Sequence, residues 1–279
     1  MVKEMEMFKR GIFGILLILG LGMTVSSTGH GAVIENSLVV TDVTPVKFCA
    51  VWGTEEPATG WVSVFLDPNG STPWTGAVVK SESPEHPPAE GIGVIKVTVT
   101  GLKPDTEYFF STLTTLKRNN SVYESPITRA KTEKASVVVH NDVLLQRVNV
   151  GETDPAPGML VIASVEGASY PITGWVGDNV PKDWAAVDTN NFYSAKTHVN
   201  LELIGGELMK VKVFGGSLGS VETEETIPAE SGGMQQLSRA VSLTGSGSQS
   251  GAGGTQGGVG ATGASGGGGG GCFVMTAME

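Results

Sequence analysis

Only two cysteines, Cys49 and Cys272, occur in 279 residues. Two cannot build a disulfide scaffold, so the fold must rest on a buried apolar core. Histidine is scarce too, with four at positions 30, 86, 140 and 198. None stands at ligand spacing from another, which gives a zinc-type centre no support. Positive charge is the third shortage, with 18 Lys and Arg against 28 Asp and Glu and a net charge of −10. Such a surface repels nucleic acid and anionic lipid, and neither is expected as a partner. After residue 25 no long apolar run remains, and no window in the middle of the chain carries a helical stripe.

The first residues are different. Lys3, Lys9 and Arg10 flank the apolar segment Gly11 to Val25, and small and polar residues follow in "SSTGHGA". That layout is a secretory signal over residues 1–32, with cleavage expected near Gly29 or Ala32. A retained anchor is the alternative, although the segment is shorter than the ~20 apolar residues a span needs. No cysteine follows the segment, which argues against a lipidated N-terminus. Removing residues 1–32 removes three positive and two negative charges and takes the chain to −11. The mature protein is therefore expected in an oxidising space, secreted or on a bacterial cell surface, with no membrane insertion.

What the chain has in quantity is short β-rich runs and glycine. Residues 36–134 and 135–226 alternate apolar runs with turn residues, at a spacing that predicts two β-sandwich domains in tandem, an all-β protein. In the second region "SVVV", "MLVIASVE", "VNLELI" and "LMKVKVF" read as strands. In the last of these, Met209, Val211 and Val213 share one face and Leu208, Lys210 and Lys212 the other. Residues 227–244 read as a linker, with "GGMQQLSRAVSL" forming a short helix or nothing. Residues 245–271 hold 15 glycines among 27 positions. That composition predicts a disordered tether with an r.m.s. span of roughly 25–30 Å. Residues 272–279 close the chain.

"FCAVWGTEEPATGWVSVF" (Phe48 to Phe65) and "VIKVTVTGLKPDTEYFF" (Val94 to Phe110) together resemble a bacterial fibronectin type III domain, over about 100 residues. The resemblance implies an immunoglobulin-like sandwich with Trp52 inside and a tyrosine corner at Tyr108, whose hydroxyl bonds back to the backbone near Leu102. Alternation independently places Phe48, Trp52, Val62, Val64, Ile95, Val97, Val99, Leu102, Tyr108 and Phe110 in the core. It places Trp61, Phe65 and Phe109 on one outer face, and Cys49 and Val51 on the side of their own strand away from Trp52. Trp61, Phe65 and Phe109 either pack against the second domain or face a protein or sugar partner. Trp175 and Trp184 pose the same question, with core packing the expected answer.

Motifs with chemical potential are few. "GGSLG" around Ser217 has the pattern of a nucleophile elbow, but no histidine follows His198 and no helix is expected after it. A tight turn explains its glycines. "DPNG" (Asp67 to Gly70) and "VGDNVP" (Val176 to Pro181) carry oxygens that calcium could use, yet both are ordinary turn sequences. Glu222, Glu224 and Glu225 are expected in a solvated loop. Asn69 and Asn119 stand in glycosylation patterns, relevant only in a host with that pathway. No catalytic residue, cofactor or metal is expected, and the protein is read as a non-enzyme.

The last segment, Cys272-Phe273-Val274-Met275-Thr276-Ala277, is similar to a Cys-Phe-Ile-Ala-Thr-Ala box that follows glycine-rich tethers on bacterial secreted proteins. The resemblance implies a sorting or processing tag with Cys272 as the attachment or processing residue. A bond between Cys272 and Cys49 is the competing fate. Together these features predict an exported binding or structural protein for attachment, adhesion or extracellular assembly at the cell surface. An accessory subunit of an extracellular hydrolase and a carbohydrate-binding module are the alternatives.

Overall fold

Strand β3 (Ala58–Phe65) shows why this chain builds sheets. Ala58, Gly60, Val62 and Val64 are buried, whereas Thr59, Trp61, Ser63 and Phe65 between them are not. Aromatic and β-branched residues at a period of two fit a pleated surface with one wet side. The computed structural model describes residues 33–229 and 233–244 and contains sixteen strands, one short α-helix, α1 (Pro87–Ile92), and three 3-10 turns among them. The signal, the tether and the terminal box with Cys272 lie outside the described residues.

In the N-terminal half, β1 (Val39–Thr41), β2 (Lys47–Gly53), β5 (Val94–Thr100) and β4 (Val78–Ser81) form an antiparallel sheet in that spatial order. Facing it, β3 pairs over its whole length with Phe109 to Leu116 of β6 (Glu107–Leu116). The other edge of β6 takes β7 (Val122–Glu124) and then β8 (Thr128–Lys131), one strand interrupted by Ser125 to Ile127. Counting β7 and β8 as one, the spatial order is that of constant-type immunoglobulin sandwiches.

All ten residues expected in this core are buried. Each large side chain so removed from water contributes about 1.5–3 kcal/mol. Phe48 and Phe110 meet across the sheets with ring centroids 5.0 Å apart. Trp52 donates its indole N–H to Thr114 Oγ1 at 2.9 Å. Gly60 makes room for that ring, since a Cβ there would sit 2.4 Å from Trp52 Cζ2. At the turn into β6 the Tyr108 hydroxyl accepts from the Lys103 N–H at 2.9 Å.

The C-terminal half repeats the principle. In one sheet β9 (Val143–Val150) is flanked by β10 (Asp154–Pro155) and β13 (Trp184–Asp188), and it pairs in parallel with β16 (Met234–Leu243). The other runs β12 (Ile172–Trp175), β11 (Leu160–Val165), β14 (Leu208–Phe214), β15 (Ser220–Thr226). Leu144, Val148 and Leu237 meet Val161, Met209 and Val211 in the core between them. The faces of β14 are as the alternation predicts, with Met209, Val211 and Val213 buried and Leu208 exposed.

Several expectations fail here. Residues 234–243, expected in a linker over 227–244, form β16. A register shift between Gln236 and Ala240 breaks the alternation, so Leu237, Val241 and Leu243 reach the core at unequal spacing. "SVVV" is no strand, and Val138 is 86% exposed. "VNLELI" forms none beyond an isolated bridge at Asn200. Its backbone is satisfied by a side chain instead, because Asn141 donates to the Leu201 carbonyl and accepts from the Leu203 N–H. Glu222, Glu224 and Glu225 lie in strand β15, and Glu225 is buried. The described residues belong to one compact unit.

Candidate binding face

Register fixes where the three outer aromatics stand. Phe65 is the cross-strand partner of Phe109, and Phe109 is the partner of Arg129 on β8. Trp61, four residues before Phe65 on the same face, pairs with Leu113. The three rings therefore share the outer face of the β3–β6–β8 sheet, as the alternation predicts. Trp61 is 49% exposed, and Phe65 and Phe109 are partly exposed. The Asp67–Gly70 turn leans on this face, since a Cβ at Gly70 would lie 3.6 Å from Phe65 Cζ. Asp67 orders that turn by accepting from the N–H groups of Asn69, Ser71 and Thr72. These bonds outweigh desolvation and hold its carboxyl down at about 2.

The C-terminal half packs on the other sheet. Val51 of β2 and Val94 of β5 meet Leu160, Ile162, Trp175 and Phe214, with Ala89 of α1 between. None of Trp61, Phe65 and Phe109 belongs to that cluster. Beside it runs a buried polar chain. Lys96 lies 3.4 Å from Asp42 and 3.1 Å from Glu82. Glu82 also accepts from Thr98 and from the Trp175 indole N–H, at 2.5 and 3.2 Å. Asp42 accepts from both the backbone N–H and the hydroxyl of Thr173.

Burial alone would raise both carboxyls and lower the ammonium, but the ion pairs win. Asp42 and Glu82 lie below the ordinary carboxylate range and Lys96 above the ordinary lysine value. Cys49, on the same face and 3.0 Å from Thr98 Oγ1, is buried and its thiol is pushed up to about 12, chiefly by desolvation. The expectation that this outward face leaves Cys49 open to a disulfide is thus overturned, because the thiol is buried among these groups.

Trp175 is buried at this junction and stacks on His86, with centroids 4.3 Å apart. Trp184 is partly buried at the start of β13. "GGSLG" forms a 3-10 turn that leads straight into β15, with Ser217 exposed. Among the described residues no group of three His, Cys, Asp or Glu side chains is placed to hold a metal. None of the helices described there is long and apolar enough to cross a membrane.

Sequence reasoning missed one constellation. At the edge of the aromatic face the two halves leave a cleft of about 250 Å³, lined by Glu107, Arg129, Lys131, Ser169, Tyr170, Ala195 and His198. His198 Nδ1 sits 3.0 Å from Glu133 Oε2, and Glu133 is fully buried. The two residues stand 65 positions apart. The only local trace is the left-handed backbone at His198, with φ of 59°. No protein-family model matches the chain, and no match is found among curated proteins.

Proposed function

We propose that this chain is an exported, non-enzymatic binding protein that attaches to a protein or polysaccharide at a bacterial cell surface. The outer face of the β3–β6–β8 sheet is its docking surface, and the signal over residues 1–32 delivers it. The observation that carries this reading is the exposure of Trp61 beside Phe65 and Phe109 on a rigid sheet that the other half of the molecule leaves uncovered. An aromatic ring presents large contact area at little entropic cost, which suits a docking surface. Kinship with fibronectin type III domains is part of the proposal, supported by buried Trp52 and the Tyr108–Lys103 bond. Residues 272–279, with Cys272, serve in it as a sorting or attachment tag.

The test is retention of the purified protein on cell-surface material from its own host. Wild type is expected to be retained, and the folded Trp61→Ala, Phe109→Ala double variant to be released. Equal retention of both proteins would refute the assignment of this face.

A further inference from the structure

The junction cleft continues the aromatic face without a break. Glu107 and Lys131 are cross-strand partners, as are Phe109 and Arg129. Arg129 thus stands in the row of Phe109, and Glu107 and Lys131 lie two positions, about 7 Å, further along the same face. A ring lying on Phe109 would place its substituents within reach of the cleft.

The chemistry of the lining is specific. The Tyr170 hydroxyl accepts from the Lys131 N–H at 3.1 Å, which leaves its own proton free to donate. The Ser169 hydroxyl is buried and has no partner. Arg129 makes one contact, to Glu107 at 3.3 Å, with most of its guanidinium exposed. Lys131 gives one of its three protons to Asp105 at 2.7 Å. Four residues with donor groups line one small volume. His198 differs, because Glu133 holds its Nδ1 and leaves Nε2 as the free ring nitrogen. With the proton on Nδ1, Nε2 and Glu107 supply acceptors.

Donors for a carboxylate, acceptors for hydroxyls and an adjoining shelf of aromatic rings describe one ligand class. We propose that the cleft binds the carboxylate of a hexuronate unit in an oligosaccharide, with neighbouring sugar rings on Phe109, Phe65 and Trp61. This rests on the reading of the outer face as a docking surface. The net charge of −10 opposes an anionic ligand at long range, so the attraction must come from the lining itself. Surface charge is screened over about 8 Å at physiological salt, so a single carboxylate responds to the cleft lining.

The experiment is calorimetric titration of the full chain with short oligogalacturonates and oligoglucuronates, beside their methyl esters and sulfated neutral oligosaccharides. One of the two uronates is expected to bind at least tenfold more tightly than its ester, about 1.4 kcal/mol. Tyr170→Phe and Arg129→Gln, each checked for an unchanged melting curve, are expected to weaken uronate binding about tenfold. Indifference to the ester or to both substitutions, or preference for the sulfated sugar, would overturn the proposal. If surface material retains the protein through Trp61 while uronates do not bind, the docking face stands and the uronate assignment falls. If protease treatment of that material abolishes retention, the partner is a protein and the assignment falls as well. If neither uronates nor surface material bind, both readings fall.

Discussion

Asp42 and Thr173 are 131 residues apart in the chain, yet Thr173 donates both its backbone N–H, at 2.8 Å, and its hydroxyl, at 2.5 Å, to the Asp42 carboxylate. That pair of hydrogen bonds between the halves is one end of a chain that passes through Lys96 and Glu82 to Trp175. It fixes which sheet of the first sandwich is covered and which is left open.

Lys96→Met removes the cation that pairs with both buried Asp42 and partly buried Glu82. Breaking a buried pair from one side costs about 3–5 kcal/mol, because a charge is left uncompensated. Denaturant unfolding is expected to show that loss. The triple variant Asp42→Asn, Lys96→Met, Glu82→Gln is expected to recover part of it. A Lys96→Met protein as stable as wild type would contradict the network.

Acid should weaken the fold through the same groups. Asp42 and Glu82 have ordinary values of 3.8 and 4.5 and are lowered in the folded protein. The unfolded chain therefore takes up their protons first. Their contribution is complete above about 4.5 and is lost as the pH falls through the lowered folded values. His86 is lowered by burial against Trp175, so its contribution fades earlier, as the pH falls below 6.5. Melting temperatures between pH 7 and 3 are expected to drop in these two steps. A flat profile would contradict both.

Cys49 is expected to be inert. With a thiol pushed up to about 12 and 1% exposure, it offers almost no thiolate at neutral pH. In a Cys272→Ser protein, a thiol-reactive dye is expected to label Cys49 only after denaturant is added. Rapid labelling of the native protein would show the halves opening.

Tyr108→Phe deletes the hydroxyl that accepts from the Lys103 N–H and should cost about 1 kcal/mol of stability. Trp61→Ala, on an exposed face, should cost less than about 0.5 kcal/mol. Urea midpoints for the two variants check the contrast, and the opposite order would mean that the two faces of this sheet have been exchanged.

The first sandwich was legible because its main strands pair without a register shift, so that reading Val62 and Tyr108 inward also placed Trp61 and Phe109 outward. β16 was hidden for the opposite reason, since its bulge spaces Leu237 and Val241 four apart, like a helix. "VNLELI" misled because Asn141 replaces a neighbouring strand as the partner of its backbone. The junction could not be read at all. Asp42, Glu82, Lys96 and Thr173 each sit in unremarkable local sequence; the first sandwich gathers the first three, and the packing of the other half on it adds Thr173. The same holds for Glu133 and His198 at the cleft.

Oxidative footprinting of side chains, on the full chain free and bound to cell-surface material of its host, tests the docking face most directly. Trp61 and Phe109 are expected to lose reactivity on binding while Met234, exposed on the other half, keeps its own. Protection of Met234 with Trp61 unchanged would place the partner elsewhere and contradict the account.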